Sequence, residues 1–122
     1  MEKDVKKLIA LATGDQLSYN ERNKREFHRL GKKVLKEIAT RMGLTPGKDC
    51  DVSSNLGGIA VSGEITLHSD TLYLQVSGRD QFMYRSCKGR KDYTGGPNNW
   101  GHIETLIDLD STTRDIFVYI LV

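Results

Sequence analysis

A chain of 122 residues is one domain's worth, long enough to bury a single core without disulfides or metals. Charged residues at 28% and hydrophobic residues at 38% exclude a disordered or fibrous class, and no apolar run approaches the roughly 18–20 residues of a membrane helix. The net charge of +2 hides an uneven spread: residues 18–43 sum to +5 and 84–100 to +3, whereas 44–83 and 101–122 each sum to −3, which points to an anionic partner.

Residues 2–13 read as a helix, because Val5, Leu8, Ile9 and Ala12 recur at helical spacing and Gly14 supplies a stop. A longer helix follows over 19–42. Ser18 and Glu21 are spaced as a capping box, and Phe27, Leu30, Val34, Leu35, Ile38 and Met42 trace one apolar stripe. Gly43 then stands where a left-handed cap belongs, with Leu44 as its hydrophobic follower and Pro46 forbidding continuation. On the other side of this helix, spacings of three and four align Arg22, Arg25, Arg29, Lys32 and Lys36. Such a strip serves as a solvated face or as an electrostatic footprint for phosphates or an acidic protein.

After Pro46 the period changes from 3.6 to 2. Ile59, Val61, Ile65 and Leu67 alternate with polar residues up to His68, a half-buried strand with Gly63 as a bulge or close-packing point. Leu72, Leu74 and Val76 define a second strand and Phe82–Lys88 a third, joined by the short turns Ser69-Asp70 and Gly78-Arg79-Asp80. Asp51–Asn55 adds a short edge strand. The fold expected is therefore α+β, in two layers: an antiparallel meander of three to four strands with helices packed on one face. Glu64, Thr66, His68, Tyr73 and Gln75 alternate onto the opposite face, where water or a partner meets them. The 122 residues form a single domain, with a helical part over 1–43, a sheet over 50–88, a glycine-rich loop over 89–100 and a helical part over 101–122. Asn98 or Asn99 is placed to cap the helix that begins this last part, with Ile103, Leu106 and Ile107 on its apolar edge; for 111–122 the pattern fits helix or buried strand, with helix favoured.

The stretch Tyr84–Trp100, YRSCKGRKDYTGGPNNW, mixes charge, aromatics and amides without a hydrophobic period. It is either a crossover pinned by Trp100 in the core or a basic surface. In the second case Arg85, Lys88, Arg90 and Lys91 meet an anion while Tyr84, Tyr93 or Trp100 stacks, as in single-strand nucleic-acid binding or a protein hot spot. Cys50 and Cys87 read as reduced thiols, and the cations around Cys87 would lower its pKa if it is exposed. No Walker or dinucleotide loop is present, and no Cys/His spacing predicts a metal; neither cofactor nor metal is expected. A Cys87–His102–Asp hydrolase is conceivable, because such groups meet in space. No local chemistry asks for it, so the chain reads as non-enzymatic. Without a recognisable secretory signal or membrane segment, a cytoplasmic location is expected.

Three stretches carry a resemblance: SYNERNKREFHRLGKKVLKEIA (18–39), NLGGIAVSGEITLHSDTLYLQVS (55–77) and the 84–100 stretch. Together they resemble a group of small, mostly uncharacterised proteins of bacterial phages, prophages and other mobile elements. The resemblance implies a small accessory protein of the bacterial cytoplasm that acts by binding, and it supplies no catalytic residues. Two functions are carried forward. One is docking on a host or defence protein; the alternative is binding single-stranded or duplex nucleic acid. Both use a surface that would combine the helix strip with the 84–100 loop.

Overall fold

The computed structural model describes residues 2–14, 20–58, 61–78, 80–90, 92 and 95–106. Its elements are α1 (Glu2–Ala12), α2 (Glu21–Arg41), β1 (Cys50–Asn55), β2 (Glu64–Ser69), β3 (Leu72–Val76), β4 (Gln81–Ser86) and β5 (Asn99–His102), followed by a single 3₁₀ turn, Ile103–Leu106. The strands form one antiparallel sheet in the order β1-β2-β3-β4-β5, and α1 and α2 supply the helical part of an α+β fold. Among the described residues five strands are thus present where three to four were expected.

Helix α2 stops as its sequence dictates. Leu44 N–H bonds to Ala39 O at 2.8 Å and Gly43 N–H to Thr40 O at 3.0 Å, the two bonds of a Schellman motif, with Gly43 at φ 79°. Its start differs from expectation. The cap is Asn20, in extended conformation, whose Oδ1 accepts from the Asn23 amide at 3.1 Å; Ser18 lies outside the described residues. An Asn oxygen placed one residue before the first helical turn satisfies an orphan amide that the Ser18 reading had assigned elsewhere.

The stripe of α2 and Val5, Leu8 and Ala12 of α1 are buried with Ile65, Leu67, Leu72, Leu74, Val76, Phe82 and Tyr84 of the sheet. This is the single core. Strand β2 is shorter than the 59–68 alternation implied. Gly63 sits at φ 72°, which breaks the extended run, and Val61 is left 47% exposed. The described residues 56–58 and 61–63 lie instead outside β1 and β2, fastened to α2 by Lys24 Nζ to Gly58 O (3.1 Å) and His28 Nε2 to Ser62 O (2.7 Å). The helix expected after Asn98 is replaced by β5. Strand β4 has an edge to offer, and β5 pairs with it from Gln81–His102 to Tyr84–Asn99. Only the 3₁₀ turn is helical there, and it sends Ile103 into the core. The ambiguous tail, 111–122, lies outside the described residues, as do residues 107–110.

Candidate binding face

Alternation along each strand divides the sheet into a core face and an outer face, and register aligns the outer residues into rows. The first row is Asp51–His68–Tyr73–Arg85. The second is Ser53–Thr66–Gln75–Met83–Trp100. The helices contribute to neither, because they occupy the core side.

Contacts among side chains and with the 86–92 segment fill the first row. His68 meets the edge of Tyr73 at 5.0 Å between centroids, and the Arg85 guanidinium lies over the Tyr73 ring at 4.5 Å. His68 Nε2 donates to Gly89 O at 3.0 Å, which fixes the tautomer, since a carbonyl only accepts. Burial holds the His68 imidazole pKa below its ordinary value, against the opposing pull of the Gly89 carbonyl. Arg90 pins the same segment to the other end of the row. Its guanidinium donates to Lys48 O and pairs with Asp70 at 3.3 Å and Asp51 at 3.6 Å. Asp92 accepts from the Lys88 amide at 3.0 Å, and Gly96 N–H bonds to Ser86 O at 3.0 Å.

The second row is open. Ser53 and Thr66 share a hydroxyl–hydroxyl bond of 3.1 Å, and Tyr73 OH donates to Gln75 Oε1 at 3.0 Å. Beyond them Met83 is half-buried and Trp100 is 60% exposed. Sequence reasoning recorded the β2 and β3 members of this face. It missed Ser53, Met83 and the placement of Trp100, although the 81-83-85 alternation was there to be followed outward from Phe82 and Tyr84.

The expected site residues separate by location. Tyr84 packs in the core and offers no stacking surface, because it alternates onto the helix side of β4. Arg85 is buried over Tyr73, and Arg90 is engaged by β1 and the β2–β3 turn, so neither is presented to an anion. Lys88 is exposed; Lys91 and Tyr93 lie outside the described residues. On α2, Arg22, Arg25, Arg29 and Lys36 are exposed and Lys32 partly so. Arg25 pairs with Glu21 at 2.9 Å, and Arg29 with Glu26, whose carboxyl is pushed down to about 2 chiefly by that guanidinium's hydrogen bond. Lys33 reaches Asp4 at 3.0 Å. The helix strip and the anchored part of the 84–100 loop therefore lie on opposite sides of the sheet. They do not form one surface, because the loop returns across the outer face while α2 covers the inner one.

The hydrolase arrangement is not assembled either. His102 pairs opposite Gln81 at one end of β4, and Cys87 follows the other end, about 20 Å away at the usual rise per strand residue. Cys87 is buried, its thiol donating to Ser69 O at 3.4 Å, and burial pushes its pKa up rather than down. Among the described residues no group of three His, Cys, Asp or Glu side chains could hold a metal ion, and no helix is long and apolar enough to cross a membrane. A scan against protein-family models, a search of curated proteins and a search of solved structures each returned no match.

Proposed function

We propose that the chain is a non-catalytic binding module that docks on a protein partner through the outer face of its sheet, with Trp100 as the anchor. The observation that carries this reading is Trp100 itself, 60% exposed on a regular strand beside Met83 and a row of hydroxyl and amide side chains. Interface hot spots are enriched in tryptophan, and a polar surround that can exclude water is the setting in which it contributes most. The resemblance to mobile-element proteins points to a host or defence protein as the partner. Affinity capture from bacterial lysate with the wild type, Trp100→Ser and Lys36→Glu tests the reading. It expects a protein that the wild type and Lys36→Glu retain and Trp100→Ser loses; retention by Trp100→Ser would count against it.

Nucleic-acid binding is the second reading, favoured by the charge of α2, whose eight Lys and Arg face three Glu. Arg22, Lys32 and Lys36 make no ion pair among the described residues. Its weakness is geometric: the phosphate track is on the helix side and Trp100 on the other, so one strand does not reach both. A gel shift with random single-stranded DNA and RNA at low salt discriminates. Binding through α2 would weaken with a log–log slope near −0.7 per contact, and Arg22→Glu with Lys36→Glu would abolish it.

A further inference from the structure

Strand β1 has β2 as its only strand neighbour among the described residues, and its other side is taken up at Cys50 alone, by a parallel bridge to Pro46 with Gly47 N–H donating to Cys50 O at 2.8 Å. A sheet edge carries unpaired backbone donors and acceptors, and folded proteins shield such edges with lysine, proline or a bulge. Past the Pro46 bridge at Cys50, none of these devices is present over Asp51–Asn55. Cys50–Asn55 reads CDVSSN, its register to β2 advances one for one over all six residues, and Asp51, Ser53, Ser54 and Asn55 are exposed.

On its outer side β1 borders a cleft of about 320 Å³, lined by Asp51, Ser53, Asn55, Glu64, Thr66 and Arg90 among others. Its charges are two carboxylates and one guanidinium. The guanidinium of Arg90 is held by Lys48 O, Asp51 and Asp70, whereas Glu64 makes no ion pair among the described residues. The cleft therefore favours a cation over an anion.

We propose that β1 accepts an extended segment of a partner chain as an added strand, and that this segment carries a lysine or arginine opposite Ser53 whose cation enters the cleft between Asp51 and Glu64. Main-chain bonds along the edge supply affinity without regard to sequence, and the side chain over the cleft supplies selection. Ser53 is small enough for a long stem to pass over it toward Glu64, its diagonal neighbour across the pair with β2. Because β1 and β5 are opposite edges of the sheet, this site does not depend on Trp100.

The test is a titration of the isotope-labelled full chain, followed by amide NMR, with a heptapeptide alternating valine and lysine. The comparators are the same peptide with glutamate for lysine and with a central proline. Amide shifts are expected in β1 and β2 and not at Trp100, with the glutamate and proline peptides at least tenfold weaker. Glu64→Gln should weaken the lysine peptide about three- to fivefold, the range of a partly exposed ion pair, and Ser53→Lys should block it while leaving the rest of the spectrum unchanged. Equal binding of the lysine and glutamate peptides, shifts centred on α2 or β5, or no shift at millimolar peptide would each overturn the proposal. Failure here together with loss of a captured protein in Trp100→Ser would leave the β5 reading standing.

Discussion

The most exacting consequence of the fold concerns Gly63, which closes the β1–β2 hairpin and thereby sets the register on which both outer rows depend. Its φ is 72°, and a Cβ placed there would lie 2.8 Å from both the C and O atoms of Leu56 and closer still to Asn55 O. Gly63→Ala therefore carries two costs: about 1–2 kcal/mol for an L-residue in the left-handed region and about 1–3 kcal/mol for overpacking against backbone that cannot rotate away. Gly43 separates them. Its φ is 79°, yet nothing lies within 4 Å of its would-be Cβ, so Gly43→Ala incurs only the conformational cost. Urea unfolding followed by circular dichroism should show Gly43→Ala losing about 1–2 kcal/mol and Gly63→Ala about 2–5 kcal/mol, with equal m-values. In a domain whose total stability is about 5–15 kcal/mol that difference is easily read. Equal losses in the two variants would mean that the hairpin accommodates the added carbon, and the account of how β2 is held in register would be wrong.

Three further outcomes follow from the first row and the buried imidazoles. A double-mutant cycle over Arg85→Met and Tyr73→Leu should give a coupling of about 1–2 kcal/mol, the range of a desolvated cation–π pair; additive losses would show that the 4.5 Å stacking contributes nothing specific. His28 and His68 both have pKa values lowered from 6.5, burial being the larger cause in each, so below 6.5 the unfolded chain binds protons that the folded chain refuses. Stability should accordingly be full above about pH 6.5 and fall as pH drops toward the lowered folded values; His28→Gln should flatten the slope in that window, and an unchanged slope would exclude His28 as a source. Arg90→Ala should release the 87–92 segment, seen as faster amide exchange at Gly89 and early proteolysis at Lys88. Its global stability loss should stay within about 1 kcal/mol, because both carboxylates that it pairs with are largely exposed.

Helix α2 was legible because every local signal agrees with its tertiary role: a 3.6-residue stripe, polar residues before its first turn, and the Gly43–Leu44 stop. The strands β2 and β3 were legible for the same reason at period 2. Misreadings arose where local pattern and long-range pairing diverge. In sequence Val61 continues the alternation of Ile65 and Leu67, yet the left-handed Gly63 separates it from the strand. Asn99–His102 has too few residues for any period, so β5 exists only because β4 has an edge to pair with. Half of the outer face was read from β2 and β3 alone, and its continuation to Trp100 was hidden with β5. The basic residues of α2 and of the loop were visible as charge. Which side of the sheet each would occupy was not, since local sequence says nothing about the face across which a crossover returns.

That division of sides is what the proposed protein-docking reading rests on. The cations of the loop are used internally: Arg85 on Tyr73, and Arg90 on Asp51, Asp70 and the Lys48 carbonyl. Those of α2 are partly matched by Glu21, Glu26 and Asp4, and a lysine-rich helix surface needs no partner to be stable in water. Trp100 has no comparable account among the described residues. If it were a core residue, truncation would cost about 3–5 kcal/mol, as large aromatic deletions do. At 60% exposure it should behave as a surface position, so Trp100→Ser should keep stability to within about 1 kcal/mol. One variant thus separates the alternatives: a stable protein that has lost its partner places the contact on the sheet face, whereas a destabilised one returns Trp100 to the scaffold and leaves α2 as the surface to pursue.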